Sequence, residues 1–291
     1  MNRRYKKYFF WSNAIHFSGT LYLVATPIGN LGDFSFRAIE TLNESDLILC
    51  EDTRKAKVLL KEYDIKTKCK SLHEFTNPKV IEKYISYLKT GKCIALISDA
   101  GTPLISDPGY EIVKRSKEEQ IMVNPIPGPS SVISALVASG LKIDKFIFEG
   151  FPPIKANELE SYLEKFLFEK ITLVLFESPR RIKKLVQTSL KIFGGKRRVC
   201  LAKDISKLHQ KFFTGTIEAL LNQIEKDMNL EKGEIVFLIE GTKDKAAIDD
   251  ANLEILVKSL KADLPLRKIS KIASKISKKT SKEIYDTFKK N

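Results

Sequence analysis

The chain has 291 residues, of which 43% are hydrophobic, and a formal net charge of +14 at pH 7. This length exceeds that of a typical domain with a single core, so two domains are expected. The composition supports packed domains, which excludes a wholly disordered protein. No run of about 18 uncharged apolar residues occurs, so a membrane-spanning helix is excluded. The scattered cysteines predict reduced thiols in a cytoplasmic protein, with no disulfide scaffold and no metal site. They are Cys50, Cys69, Cys93 and Cys200.

The positive charge lies at the two ends of the chain. Residues 1–18 hold four basic residues and no acid, and residues 258–291 hold eleven basic residues against three acids, so the rest carries only +2. This pattern predicts an appendage that binds a polyanion such as nucleic acid. The alternative is that the chain is simply rich in lysine and that these lysines lie on solvated faces without binding a partner. Residues 1–19 lack the apolar core of a secretory signal and are interpreted as a basic extension, with an organelle transit peptide as the alternative.

From residue 20, short buried strands alternate with amphipathic helices. Strands are predicted at Leu21–Thr26, Leu47–Cys50, Ile94–Ser98 and Ile121–Val123. Helices are predicted at Ser35–Leu42, Thr53–Tyr63, Pro78–Leu88, Tyr110–Lys117 and Ser130–Ser139, the last ending at a glycine cap, Gly140. This alternation predicts a mostly parallel sheet covered by helices, in an N-terminal α/β domain of residues 20–142.

A second α/β domain is predicted for residues 143–245. Its strands are Phe146–Gly150, Thr172–Phe176, Arg198–Lys203 and Glu234–Glu240, with His209–Thr214 paired between the last two. Pro179 opens a helix, Arg180–Ile192, that Gly194 closes.

Residues 252–291 form a basic helical tail. Pro265 is expected to start one helix, and Thr280 and Glu283 have the spacing of a capping box for a second. Two short helices joined by a tight turn predict a helix-turn-helix. A plain helical hairpin packed on the body is an equal alternative.

Four polar or glycine-rich loops follow predicted strands, at residues 26–33, 51–54, 98–109 and 176–181. Open α/β sheets bind ligands at this end of their strands. None of the loops is a dinucleotide fingerprint or a phosphate-binding P-loop. The third has twelve irregular residues, more than the usual 2–6 for such a connection, which favours a binding loop over two simple turns.

These segments resemble the tetrapyrrole methylase superfamily. The resemblance is carried by LYLVATPIGNLGDFSFRAIETL, LILCEDTRKAKVLL, IALISDAGTPLISDPGY, PIPGPSSVISAL, FIFEGFPP, FESPRRI and GEIVFLIEG, from about Leu21 to Gly241. It is closest to a bacterial branch that methylates ribosomal RNA. The chain departs from that branch at Arg180, where His is usual, and in HEFTN, which has one His fewer.

The resemblance implies two α/β domains of the tetrapyrrole methylase type with a small basic helical C-terminal extension. It also implies a homodimer that binds S-adenosyl-L-methionine (SAM) in the cleft between domains. The implied substrate is the 2′-hydroxyl of cytidine 1402 of 16S rRNA in the small ribosomal subunit. The residues implied to bind the cofactor are Pro27, Asp99, Gly101, Thr102, Pro103, Ile105, Ser106, Asp107, Ser130, Ser131 and Phe176. Ser130 and Ser131 are alternatively helix caps.

A ribose hydroxyl needs a nearby general base, and Asp52 is our candidate, with Arg54 to grip a phosphate. Asp52 is alternatively the N-cap of the helix that follows. The rival bases are Asp107, Lys203 and Glu177, and the lone residues His73 and His209 are more often structural. The residues predicted to bind RNA are Arg180, Arg181, Lys268, Lys271 and Lys275. Arg197 and Arg198 form a further pair suited to phosphate contact, and an equal alternative for both arginine pairs is a solvated helix start and strand start.

Two other functions fit the same residues. One is a sibling SAM methyltransferase that acts on a tetrapyrrole or another small molecule. The other is a nucleic-acid-binding regulator whose α/β body senses SAM. The basic tail favours RNA over a small-molecule substrate, because a small-molecule enzyme has no need of it.

Overall fold

The computed structural model describes residues 19–226, 233–242, 250–277 and 279–289, without the side chains of 250–252 and 275. The predicted N-terminal extension lies almost wholly outside these residues. The chain divides into two compact units. The first comprises the described residues up to Ala138 together with Ala202–Lys211, and the second comprises Ser139–Leu201 with the described residues from Phe212 onward.

The first unit is built on a parallel sheet of five strands, in the order β3-β2-β4-β1-β5. The strands are β1 (Thr20–Val24), β2 (Leu47–Cys50), β3 (Cys69–Ser71), β4 (Ile94–Ile97) and β5 (Met122–Ile126). The helices are α1 (Phe36–Glu44), α2 (Thr53–Glu62), α3 (Pro78–Lys89), α4 (Tyr110–Glu118) and α5 (Ser131–Ala138). The mostly parallel sheet predicted from the alternation is confirmed.

The helices cover both faces of this sheet. Buried side chains of α1 and α2 pack in one apolar cluster with β1, β2 and β4, and those of α3 and α4 pack in another on the opposite face. Successive side chains of a strand point to opposite faces, which is why the central strands are apolar throughout. β5 runs past the predicted Val123 to Ile126 and contains Pro125. An edge strand tolerates proline because, among the described strands, one side of its backbone has no partner.

The second unit holds a sheet in the order β6-β7-β10-β8-β9. Its strands are β6 (Phe146–Phe148), β7 (Thr172–Glu177), β8 (Arg198–Lys203), β9 (Lys211–Thr216) and β10 (Ile235–Ile239). The helices that pack with it are α6 (Ala156–Glu164), α7 (Pro179–Phe193) and α8 (Ile217–Lys226). This sheet is mixed, since β10 is antiparallel to β7 while β6 is parallel to it.

The strand predicted at His209–Thr214 begins later and lies elsewhere in the sheet. It is β9, Lys211–Thr216, and it occupies the edge beside β8. The prediction that it lies between β8 and β10 is therefore wrong, because those two strands are neighbours. None of its side chains is buried, as suits an edge strand.

The C-terminal tail has three helices where two were predicted. They are α9 (Asp250–Leu260), α10 (Leu266–Ile276) and α11 (Ser281–Lys289). Six buried residues form their shared core: Leu253, Val257, Ile269, Ala273, Ile284 and Phe288. The predicted capping box is confirmed, since Glu283 N donates to Thr280 Oγ1 at 3.2 Å and Thr280 N donates to Glu283 Oε2 at 2.6 Å. In the described part of the chain, no helix is long and apolar enough to cross a membrane.

Candidate active site

The connections of the first sheet diverge between β2 and β4. From β1 and β2 the chain continues toward the β3 edge, whereas from β3 and β4 it returns toward the β5 edge. In an open parallel sheet, ligands bind in the crevice outside the carboxyl ends of two strands whose connections diverge. The loops that follow β2 and β4 are two of the four that the sequence analysis identified, residues 51–54 and 98–109.

Hydrogen bonds join the loops at this carboxyl edge. Thr26, after β1, and Gly101, after β4, exchange two backbone hydrogen bonds of 2.8 and 3.0 Å. Thr102 Oγ1 donates to the carbonyl of Pro129, after β5, at 3.1 Å. Nine of the eleven residues predicted to bind the cofactor lie on these loops, Ser131 is the first residue of α5, and Phe176 lies in the second unit. Whether any of the eleven binds a cofactor stays a prediction.

The carboxylate of Asp99 connects the two loops at the crevice. Its Oδ1 accepts a hydrogen bond from the Asp52 backbone N at 3.3 Å, and its Oδ2 pairs with Lys55 Nζ at 2.7 Å. Lys55 is 44 residues from Asp99 in sequence. Sequence reasoning missed Lys55, because a lysine in the first turn of an amphipathic helix looks like any solvated residue.

Asp52 is fully engaged by its neighbour on α2. Its side chain caps α2 by accepting a hydrogen bond from Arg54 N at 2.8 Å, as the alternative interpretation predicted. The Arg54 guanidinium also donates to both carboxylate oxygens, at 3.1 and 2.7 Å. These bonds hold the pKa of Asp52 well below its usual range, so the carboxylate is ionised and weakly basic. The catalytic roles predicted for Asp52 and Arg54 stay predictions.

Asp107 has the opposite electrostatic environment. Its partial burial, together with the nearby carboxylates of Glu51 and Asp99, raises its pKa to about 6, against a hydrogen bond with Ser98 that lowers it. A carboxylate with this pKa can both accept and release a proton near neutral pH. Besides Asp52, the crevice gathers three carboxylates, Glu51, Asp99 and Asp107, and among the residues that the structure describes only Asp99 of these three has a cation bonded to it.

The backbone of the loop after β4 has unusual torsion angles. Leu104 has φ +71° and Ser106 has φ +64°, and a leucine rarely adopts this left-handed region. Gly101, with φ +81°, is buried, and a Cβ there would lie 3.3 Å from Ile28 Cγ2. Strained backbone of this kind persists where the surrounding structure fixes it, and it occurs frequently at ligand-binding sites.

A segment from later in the chain completes the first unit at this edge. Ser206 Oγ hydrogen-bonds to the carboxylate of Asp33, in the loop after β1. Gly29 approaches the segment so closely that a Cβ would lie 2.4 Å from Lys207 Cγ and 3.0 Å from the Ile205 carbonyl oxygen. Glycine is therefore required at position 29 for this packing.

The arginines predicted to contact RNA phosphates differ in their surroundings. Arg180 is exposed. Arg181 donates to the carbonyls of Pro152 and Pro153 at 2.9 and 3.0 Å and pairs with the buried Glu177 carboxylate at 3.2 Å. Arg181 thus fixes the loop before α6 to the start of α7.

The second arginine pair also bonds within the protein. Arg197 donates to the carbonyls of Glu240 and Leu167, and Arg198 donates to the carbonyl of Gly140. In the tail, Lys268 and Lys271 are exposed on α10, on the side away from the buried Ile269. The side chain of Lys275 lies outside the described residues.

The chain is similar to a known protein family and to named relatives over most of its length. The family profile of the tetrapyrrole (corrin/porphyrin) methylases matches residues 20–221. A "ribosomal RNA small subunit methyltransferase I" of Mesorhizobium japonicum is 40% identical over 91% of this chain and 90% of its own. The protein of the same name from Halalkalibacterium halodurans is 43% identical over 82% of this chain and 81% of its own.

Solved structures share the fold. Cobalt precorrin-4 methyltransferase superposes with a TM-score of 0.56 at 18% identity, covering 77% of this chain and 95% of that chain. Uroporphyrin-III-C-methyltransferase from Thermus thermophilus gives 0.53 at 17% identity, covering 76% and 94%. At these identities the likeness supports the fold alone.

The raised pKa of Asp107 predicts a pH dependence of stability. A carboxyl group whose pKa is higher in the folded than in the unfolded state lowers the free energy of unfolding as pH rises from about 4 to about 6. The free energy of unfolding should fall by up to about 3 kcal/mol across this pH range in the wild type, and Asp107→Asn should abolish that decrease. Urea unfolding of both proteins at pH 4 and pH 7.5 measures it. Equal changes in the two proteins would contradict the assigned pKa.

Proposed function

The chain belongs to the tetrapyrrole methylase family, and we propose that it is a SAM-dependent methyltransferase acting on ribosomal RNA of the small subunit. The observation that carries the proposal is about 40% identity, over some 90% of both chains, to a relative named for that activity. The reacting group we propose is the 2′-hydroxyl of a cytidine, as the sequence resemblance implies. The same resemblance supports a cytoplasmic homodimer, which analytical ultracentrifugation would test.

The carboxyl edge of the first sheet fits SAM, whose sulfur is positively charged. The carboxylates of Glu51 and Asp99 are close enough to Asp107 to raise its pKa, and their negative charge favours a cation beside them. The loop after β4 presents backbone polar groups next to Gly101, where a side chain would crowd Ile28. When bound, SAM supplies the methyl group that is transferred. We propose that the loops after β1, β4 and β5 and the start of α5 hold it, with the residues predicted there, other than Asp107, as the contacts.

Asp107 is the best-placed general base among the described carboxylates of the crevice. The chain must align the ribose oxygen with the methyl group and remove the hydroxyl proton. Asp52 is a weak base because Arg54 stabilises its ionised form, whereas the pKa of Asp107 of about 6 suits proton acceptance at neutral pH. We therefore assign proton acceptance to Asp107. The Asp99–Lys55 pair holds the residues after β4 and β2 in position relative to each other.

Incubating the purified protein with methyl-labelled SAM and small ribosomal subunits tests the proposed function. Methylation of a ribose blocks alkaline cleavage at that nucleotide, because the cleavage requires a free 2′-hydroxyl. Label should therefore appear in an alkali-resistant dinucleotide. Label in a mononucleotide would indicate base methylation, and absence of label from the RNA would overturn the proposal.

Removing the carboxylate of Asp107 should lower kcat and leave binding intact. We expect Asp107→Asn to reduce kcat about 100-fold or more, the usual contribution of a general base, without changing the affinity for SAM or RNA. The wild-type rate should rise with pH up to about pH 6 to 7 as Asp107 ionises, and the variant should lack this rise. If Asp52→Asn abolishes the pH dependence instead, Asp52 is the base.

Removing the carboxylate of Asp99 should weaken SAM binding. Asp99 supplies negative charge and fixes both loops through Lys55 and the Asp52 backbone, so we expect Asp99→Ala to lower SAM affinity about tenfold or more, measured by calorimetry without RNA. Asp64→Ala, at an exposed carboxylate just beyond the C-terminal end of α2, is the control. Unchanged affinity for SAM in Asp99→Ala would show that the cofactor site is placed wrongly.

The tail should contribute the salt dependence of RNA binding. Each lysine that neutralises a phosphate steepens the dependence of affinity on salt by close to one unit of logarithmic slope. Replacing Lys268 and Lys271 with Gln should flatten the slope by up to about two and leave SAM affinity unchanged. Lys258→Gln is the control, because Lys258 pairs with Glu254 at 2.7 Å. An unaltered slope in the double variant would exclude Lys268 and Lys271 from the RNA interface.

A further inference from the structure

An aromatic side chain stands exposed at the same edge of the sheet as the crevice. Phe75 is 87% exposed, more than any other aromatic residue that the structure describes. It lies in the loop between β3 and α3, in a polar stretch whose neighbours, Glu74 and Asn77, are also exposed. Single exposed apolar residues are common on proteins, so exposure alone assigns no role to Phe75.

The loop that carries Phe75 is fixed next to the crevice. Leu72 N donates to the carbonyl of Cys50 at 2.8 Å, and Ser71 Oγ donates to the carbonyl of Glu51 at 3.1 Å. Cys50 and Glu51 immediately precede Asp52, so the loop begins directly beside the residues that follow β2. Because β3 is the neighbour of β2, the loop borders the crevice on the side of the open sheet edge.

Hydrogen bonds also determine the conformation of the loop. The backbone N of His73 donates to Thr76 Oγ1 at 2.9 Å, and Thr76 N donates back to the carbonyl of His73 at 2.9 Å. Asn77 then caps α3 by accepting from Lys79 N at 2.9 Å. Phe75 therefore projects from a turn closed by two hydrogen bonds and anchored at both ends, which lowers the entropy lost when a ligand contacts it.

We propose that Phe75 is the platform on which a base of the RNA substrate stacks, at a nucleotide neighbouring the one that is methylated. A ribose hydroxyl inside a duplex is reached only when the nucleotide is displaced, and proteins hold such displaced strands by stacking bases on aromatic rings. The Arg54 guanidinium, in the first turn of α2, is 89% exposed, so a backbone phosphate of the same strand could reach it. This inference rests on the proposed function, since it needs RNA at the crevice.

Three substitutions at Phe75 separate stacking from simple apolar contact. Base stacking on an aromatic ring accounts for about 5- to 100-fold in affinity. We expect Phe75→Ala and Phe75→Leu to raise the KM for small subunits by this factor, and Phe75→Trp to keep it near the wild-type value. The melting temperature and SAM affinity should not change, because the ring is exposed. Phe168→Ala, at a half-exposed phenylalanine of the second unit, is the control.

A fluorescence measurement tests the contact without catalysis. The chain has a single tryptophan, Trp11, so Phe75→Trp combined with Trp11→Phe gives one reporter, and Phe168→Trp in the same background gives its control. Adding a single-stranded oligoribonucleotide should quench the reporter at position 75 and leave that at 168 unchanged.

The outcomes distinguish this inference from the proposed function. If the wild type labels rRNA while Phe75→Ala has a KM within twofold of wild type, or Phe75→Leu behaves like Phe75→Trp, stacking on Phe75 is wrong and the proposed function stands. If no RNA is labelled by the wild type, the proposed function fails, and the quenching experiment still decides whether Phe75 contacts single-stranded RNA.

Discussion

The candidate site depends on a single carboxylate, that of Asp99. It accepts a hydrogen bond from the backbone that ends β2 and pairs with Lys55 on α2, so one side chain after β4 fixes the loop of the neighbouring strand. The connections of the sheet diverge between these two strands, and open parallel sheets bind ligands in the crevice outside such strand ends. The sheet topology makes the crevice, and Asp99 joins the residues on its two sides.

Neighbouring charges give the carboxylates of the crevice different pKa values. Arg54 neutralises Asp52 and keeps it ionised, which leaves Asp52 suited to capping α2 and poorly suited to accepting a proton. Asp107 is partly buried and has no cation bonded to it in the structure, and it lies near two other negative charges, which raises its pKa. Two aspartates of the same edge thus acquire different proton affinities from their surroundings alone.

Much of this site was predictable because its loops interrupt apolar strands with glycine, proline and aspartate. These glycine, proline and aspartate residues located the loops after β1, β2 and β4, and the resemblance to the family implied which of their residues bind the cofactor. The Lys55–Asp99 contact could not be predicted, because it joins residues 44 positions apart and neither has a local signal. β9 was misplaced because periodicity identifies a strand but does not say which strand it pairs with. Phe75 lies in the HEFTN segment, but the sequence alone indicated no role for it, and only its exposure and its anchored turn suggested one.

The segment Ala202–Lys211 has a consequence for how the protein is made. It belongs to the first unit, although some sixty residues of the second unit precede it in the chain. On the ribosome, the first sheet emerges long before this segment does. The contacts of Gly29 and Asp33 with Ile205, Ser206 and Lys207 can form only after those three residues have been synthesised. The first unit is therefore completed only after the earlier part of the second, Ser139–Leu201, has been synthesised, so a nascent chain truncated near residue 200 lacks part of the carboxyl edge.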